Sequence, residues 1–354
     1  MTNTDIIRHR LLNQQIAATQ FKQPDEIVSW MVAMQSQEYN SAKWAIGLRL
    51  PGNTDKTIEH AFNAGTILRT HLLRPTWHFV TPADIRWILK LTAPRVHIFN
   101  AFGYRLEKLD AKTFKHSNDV IARALEGGKH LTRNVLAAEL DRAKITASGI
   151  RLTCIMMYAE LEGIICSGPR VGKQFTYALL EERVPKVKKL FSKEEALAVL
   201  ALRYFSSRSP ATLKDFVWWS GLTVKDAKES IAMLPKDFER KTIEDQEYIY
   251  APLSSDKISL AKATFLMPNF DEYGISYKDR SILKGNKDTH NFITKNGGSI
   301  PTLVVDGQTA GTWKPTTKKN KTTVETNTYW PLSKTKQHAV EHAVSKYCSF
   351  IDNK

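Results

Sequence analysis

The chain has 354 residues, 42% of them hydrophobic and 25% charged. These proportions exclude a disordered tail, a collagen and a disulfide scaffold, and at this length several domains of roughly 60–150 residues are expected. Lys plus Arg number 51 against 36 Asp plus Glu, a formal charge of +15 and an isoelectric point near 9.6, so a polyanionic partner is favoured, nucleic acid first. The three cysteines, Cys154, Cys166 and Cys348, lack metal-ligand spacing, which fits a reducing compartment and argues against a disulfide framework or a zinc site. The opening MTNTDIIRHRLLNQQ carries charges where a signal peptide needs its apolar core. No window approaches the roughly 18 apolar residues of a membrane span. A soluble, cytoplasmic protein is the expectation.

Residues 5–50 read as helical. Ile6, Ile7, Leu11, Leu12 and Ile16 recur at helical spacing. A second helix is expected from Pro24, a good first-turn residue followed by Asp25 and Glu26, with Ile27, Trp30, Met31 and Met34 as its apolar stripe. A short helix from Thr54 to Gly65 precedes TILRTHLLRPTWHFVT (66–81), whose β-branched and aromatic residues, broken at Arg74-Pro75, predict a hairpin. Helices followed by a hairpin are the order of a winged helix.

The order recurs. LTRNVLAAELDRAKI (131–145) has Thr132 as N-cap, Thr146–Gly149 is a turn, RLTCIMMYAELEGII (151–165) is a second helix, and VGKQFTYAL (171–179) is a return strand. A third time, helices are expected in 194–210, 211–222 and 223–235, with an alternating hairpin in FERKTIEDQEYIYA (238–251). From 256 the pattern changes to strand-like segments in 265–280, 302–315 and 318–330, with Asp306-Gly307 as a type I′ turn signal. QHAVEHAVSKYCSFI (337–351) closes as a helix. The expected class is α+β: three tandem winged helix-turn-helix units (1–110, 111–190 and 191–255) and a C-terminal β-rich, barrel-like cap (256–354). Residues 278–336 hold 11 Lys/Arg against four acids, so the cap as well as the winged helices can face phosphates.

MQSQEYNSAKWAIGLR (34–49) is the unusual segment of the first unit. Gln35 and Gln37 flank Ser36. On a regular helix residues two apart point about 200° apart, so the two amides share a site only if the backbone is irregular there. Otherwise they are solvated glutamines beside a core containing Tyr39 and Trp44.

RLLNQQI, MQSQEYNSAKWAIGLR, ILRTHLLRPTWHFVTPADIRW, FLMPNFDEYGISYKDRS and VVDGQTAGTW together resemble the tandem winged-helix DNA-binding family that includes bacterial DNA glycosylases for bulky N7-alkylpurines and interstrand crosslinks. The resemblance runs from about residue 8 to 350. In those glycosylases a Gln–apolar–Gln or Gln–apolar–Asp triplet carries catalysis. The matching triplet here is Gln35-Ser36-Gln37, with Ser replacing the larger apolar residue. The resemblance implies Gln35 and Gln37 as catalytic residues, a monofunctional hydrolytic glycosylase without a Schiff-base lysine, and double-stranded DNA as substrate. No cofactor, metal or obligatory protein partner is expected, and the chain is expected to act as a monomer. The alternative is a non-enzymatic DNA-binding protein of the transcription-regulator kind, which usually reads a palindrome as a dimer. A weaker third reading is a structural or RNA-binding module, marked by preference for single strands.

Arg69, Arg74 and His78, with His71 beside them, lie in the first hairpin and are candidates for phosphate contact or for lining the site. Trp77 and Phe79 are candidate core, and His78 then becomes a structural histidine. Arg142, Lys144 and Arg151 surround the turn and recognition-position helix of the second unit, and Arg170 and Lys173 lie in its wing. Glu160 and Glu162 late on that helix speak against its lying fully in a major groove. Asp271 and Glu272 invite a general acid–base role, although their setting favours structure, and Asp279-Arg280 is a candidate ion pair. His338-Ala-Val-Glu341-His342 matches H-x-x-E-H but lacks a suitable downstream acidic ligand, so a helix packed on the cap through Val340, Val344 and Tyr347 is the better reading. There is no P-loop and no convincing dinucleotide fingerprint.

Overall fold

The computed structural model describes residues 1–186, 191–252, 263–284, 298–319 and 321–352. The chain divides into two compact units, Met1–Glu59 with Ala198–Trp219 and Thr223–Lys354, and His60–Leu197 with Ser220–Leu222. Helices and small antiparallel sheets are mixed, as expected of an α+β protein.

In the first unit the helix Asn3–Asn13 starts at a capping box: Thr2 Oγ1 accepts from the Asp5 N–H, and an Asp5 carboxylate oxygen accepts from the Thr2 N–H at 2.7 Å. The next helix, Pro24–Trp30, begins on the expected proline. The helical reading of 5–50 then fails. Val32 stands at φ +63°, a left-handed conformation that a β-branched residue adopts only when its surroundings impose it. The chain passes into a two-residue strand, Met34–Gln35, and helix resumes at Tyr39–Arg49.

The C-terminal part of this unit is a four-stranded antiparallel sheet in the order Lys321–Thr328, Gln308–Lys318, Thr302–Val305, Phe265–Met267. The barrel-like closure expected of the cap is absent among the described residues; the sheet is open, because its outer strands pair on one side only. Residues 285–297 of the basic run lie outside the described residues. Asp306 and Gly307, at φ +54° and +78°, connect the paired Val305 and Gln308, the backbone of a two-residue type I′ hairpin. A Cβ on Gly307 would come 2.3 Å from Ile7 Cγ2, so the turn also seats against the N-terminal helix. One face of the sheet joins Ile7, Leu11, Tyr273 and Leu283 in a buried cluster with Phe265, Met267 and Val304. The helix Lys334–Asp352 packs through Tyr347, whose ring lies 5.1 Å from Trp44 and 4.8 Å from Trp313.

The second unit holds the expected hairpin, Leu68–Leu72 paired with Thr76–Val80. A 25-residue helix, Pro82–Leu106, follows, with Pro94 inside it. The helices Ala111–Leu125, Arg133–Arg142 and Gly149–Leu161 then pack on a three-stranded sheet in the order Leu131–Thr132, Thr176–Leu179, Ile165–Ser167. Thr132 caps the helix Arg133–Arg142 by accepting from the Val135 N–H. Leu136, Leu140, Ile155, Ile165 and Tyr177 form the centre of this core.

Candidate active site

Gln35, Ser36 and Gln37 sit at the junction between the strand Met34–Gln35 and the helix Tyr39–Arg49. The backbone is therefore not regular helix, the condition under which the two amides can serve one site. Ser36 is fully buried, Gln35 is 9% exposed and Gln37 is exposed. The middle side chain turns into the unit while a glutamine on each side lies closer to solvent, so its small size leaves a packed position rather than a surface one.

What holds this junction was not visible in the sequence. The Gln35 N–H donates to Glu272 Oε1 at 2.9 Å. Glu272 Oε2 accepts from Arg208 Nη2 at 2.9 Å, from Ser276 Oγ at 2.6 Å and from Trp219 Nε1 at 3.0 Å. Arg208 Nη2 also donates to the Ala33 carbonyl at 3.0 Å. The pair is enclosed, at 0% and 1% side-chain exposure. Burial alone would raise the Glu272 carboxyl, but the Arg208 guanidinium, the Ser276 hydroxyl and the Gln35 N–H outweigh it and hold the group down to about 2. Glu272 is thus an anion at neutral pH with every near partner a donor, which removes it as a general acid.

Asp271 takes part in a parallel pair. Arg49 binds it through both terminal nitrogens at 2.8 and 2.9 Å, and also reaches Gln14 Oε1 at 2.8 Å. Gln14 Nε2 in turn meets the Tyr277 hydroxyl at 2.9 Å, and the Arg10 guanidinium stacks 3.5 Å from the Tyr277 ring centroid. Both carboxylates that suggested acid–base chemistry are buried ends of ion pairs. Their neighbour Asp279 accepts from the Ser281 N–H at 2.8 Å, whereas Arg280 Nε donates to the Gly274 carbonyl, so the expected Asp279–Arg280 pair is not what fixes that turn.

The second unit contains the basic candidates. Arg69 is 8% exposed; its N–H donates to Ser167 Oγ at 2.8 Å and its guanidinium lies 4.2 Å from the Trp77 centroid and 4.7 Å from that of Phe175. Arg170 lies 4.9 Å from the same Phe175 ring, and its N–H donates to Asn63 Oδ1. The structure therefore brings Arg69 and Arg170 together around one aromatic ring. His78 is fully buried with Nδ1 2.9 Å from the Thr76 carbonyl, and Arg74 is half-buried in the hairpin turn. His71 pairs with Glu160, both buried, and stacks on Trp77 at 4.4 Å. Glu160 accordingly points into the unit, whereas Glu162, paired with His97 at 3.0 Å, stays exposed and keeps its share of the objection that the sequence raised. Arg142 is exposed and paired with Glu139, Lys144 is exposed at φ +61°, and Lys173 is exposed. Arg151 is turned inward on the Thr146, Glu107 and Lys108 carbonyls.

Among the described residues, no group of three or more His, Cys, Asp or Glu side chains is placed to hold a metal ion, and His338 pairs with Glu341 at 3.1 Å. No helix of the described residues is long and apolar enough to cross a membrane.

A DNA-repair glycosylase is the class that this chain falls into when set beside known proteins. The family model "DNA glycosylase AlkZ-like" matches residues 28–350, and the chain belongs to that AlkZ-like family. Its fold is similar to that of the Streptomyces sahachiroi DNA glycosylase AlkZ, with a TM-score of 0.80 at 16% sequence identity over 99% of this chain and 97% of that one. No curated protein matches the sequence.

Proposed function

We propose that this glycosylase hydrolyses the N-glycosidic bond of cationic N7-alkylated purines in duplex DNA, including bulky adducts and crosslinks, with Gln35 and Gln37 as its catalytic residues. The observation that carries the reading is the strand-to-helix junction, which takes the Gln35-Ser36-Gln37 triplet out of regular helix and buries its middle residue. An N7-alkylated purine already carries a positive charge, so the leaving group needs no protonation. The C1′–N9 bond breaks with its electron pair passing to the purine, which becomes neutral. A water oxygen bonds to C1′ and releases its proton to solvent. Two neutral amides suffice to orient that water and to place carbonyl dipoles toward the developing positive charge on the sugar.

The repeated helix, helix, hairpin order supports three winged-helix units at 1–110, 111–190 and 191–255, with the cap at 256–354. Lys144, Lys173 and Arg142, exposed in the second unit, are proposed as phosphate contacts. So are Lys314, Lys318, Lys319 and Lys321, exposed on and around the cap hairpin. Arg69, His78, Arg151 and Arg170, which engage neighbouring residues of the protein, and the half-buried Arg74 are assigned a supporting role. The chain acts as a monomer on double-stranded DNA in the cytoplasm. The test is release of base from a duplex containing N7-methylguanine, scored as alkali-labile sites. The parent is expected to release it, and Gln35→Ala/Gln37→Ala is expected to release it at least 100-fold more slowly. A double variant as fast as the parent overturns the assignment. A stable dimer that binds DNA tightly and releases no base favours a regulator instead.

A further inference from the structure

We propose that the Glu272–Arg208 ion pair is a positioning device for catalysis that clamps the backbone on both sides of Met34 and so sets where the Gln35 amide points. The inference rests on the assignment of Gln35 to the chemistry and adds two residues to it. Arg208 holds the Ala33 carbonyl at 3.0 Å and Glu272 holds the Gln35 N–H at 2.9 Å, while the two side chains bind each other at 2.9 Å. One ion pair thus closes a loop through three consecutive backbone residues. Those residues follow directly on Val32 at φ +63°, a strained conformation that persists only where neighbouring contacts over-determine it. The clamp supplies such contacts.

Neither residue reaches substrate. The Glu272 side chain is 1% exposed, Arg208 is 0% exposed, and the carboxylate oxygens are occupied by Gln35, Arg208, Ser276 and Trp219. Whatever the pair contributes to the reaction passes through the backbone of residues 33–35. A displacement of about 1 Å in a group that orients a reactant costs about 100-fold in rate, so the expected effect is large although the residues are remote from the reacting bond.

The adjacent pair provides a matched control. Arg49–Asp271 is as deeply buried and as close, at 2.8 Å, but its other partners are the Ala45 carbonyl, Gln14 and the Tyr273 N–H, not residues 32–37. Arg49→Met and Arg208→Met each leave one buried carboxylate without its cation. The experiment measures single-turnover release of N7-methylguanine and the duplex Kd for the parent, Glu272→Gln, Arg208→Met, Arg49→Met and Gln35→Ala. Rates are normalised to the folded fraction read from near-ultraviolet circular dichroism. Glu272→Gln and Arg208→Met are expected to slow the step about 100-fold with Kd changed less than threefold, and Arg49→Met to stay within threefold of the parent. If the charge variants do not fold, Ser276→Ala/Trp219→Phe removes two neutral donors to Glu272 while keeping the ion pair, and is expected to slow the step about tenfold at unchanged Kd. Equal losses for Arg208→Met and Arg49→Met overturn the inference, as does a full rate in Glu272→Gln or in the Ser276/Trp219 variant. A full rate in Gln35→Ala overturns the catalytic assignment beneath it, a separate outcome.

Discussion

The Glu272–Arg208 pair makes the stability of this protein depend on pH in a way that one substitution can isolate. The Glu272 carboxyl is held down to about 2 from an ordinary 4.5. A depressed carboxyl stabilises the fold above its unfolded value, and that stabilisation disappears as pH falls through its folded value. The separation, 4.5 minus 2, corresponds to about 3 kcal/mol, of which about 2 kcal/mol is gone by pH 3. Glu272→Gln carries no such dependence, and at pH 7 it leaves Arg208 buried without its anion, a loss of about 3–5 kcal/mol. Urea unfolding of both proteins at pH 7, 5, 4 and 3 gives the difference in stability directly, because every other titrating group is common to the two. The gap is expected to be constant between pH 7 and 5, then to narrow by about 2 kcal/mol by pH 3. A gap that stays constant down to pH 3, or widens, shows that Glu272 is not held as an anion by the fold.

Three further outcomes follow from other parts of the molecule. Gly307→Ala puts a Cβ 2.3 Å from Ile7 Cγ2 at φ +78°, and is expected to destabilise by about 2–4 kcal/mol in urea unfolding; no change in midpoint contradicts the seating of the turn. Burial pushes the Cys166 thiol up to about 12, and the residue is fully buried, whereas Cys154 and Cys348 are partly exposed. With a chromogenic disulfide at pH 8, Cys154 and Cys348 are expected to react in the native protein and Cys166 only after unfolding; native labelling of Cys166, read by peptide mass, contradicts this. Lys318→Glu/Lys319→Glu at the cap hairpin is expected to weaken duplex binding for all sequences alike and to lower the salt slope by about 1–2; an unchanged slope removes the hairpin from the phosphate contacts.

Local signals in the sequence were translated faithfully into local structure. Pro24 opens a helix, Thr132 caps one, Asp306-Gly307 turns a two-residue hairpin, and the segment 66–81 folds back on itself. Each is decided within a few residues by a backbone preference or a side chain that satisfies its own neighbours' N–H groups. The break at Val32 is different in kind. Ile27, Trp30, Met31 and Met34 keep helical spacing through the point where the helix ends, and the left-handed residue is imposed from outside the segment. Glu272 is 237 residues from Gln35, and His71 is 89 residues from Glu160. Nothing in the spacing of either pair announces it, since only the packed fold sets those partners at bonding distance. The two carboxylates of Asp271-Glu272 drew attention as acid–base candidates on residue type alone, and burial with an arginine for each decided otherwise. For the basic residues, the sequence identified cations without their partners: Arg69 and Arg170 share an aromatic ring, Arg151 binds carbonyls, and Lys144 and Lys173 face solvent.

In the proposed function, a pair of neutral amides at this junction hydrolyses the glycosidic bond of a cationic purine. Single-turnover release of N7-methylguanine from a defined duplex, by the parent and by Gln35→Ala/Gln37→Ala at matched DNA occupancy, tests it most directly. Release by the parent and at least a 100-fold slower reaction in the double variant, with duplex affinity retained, are expected. Equal rates in the two proteins contradict it.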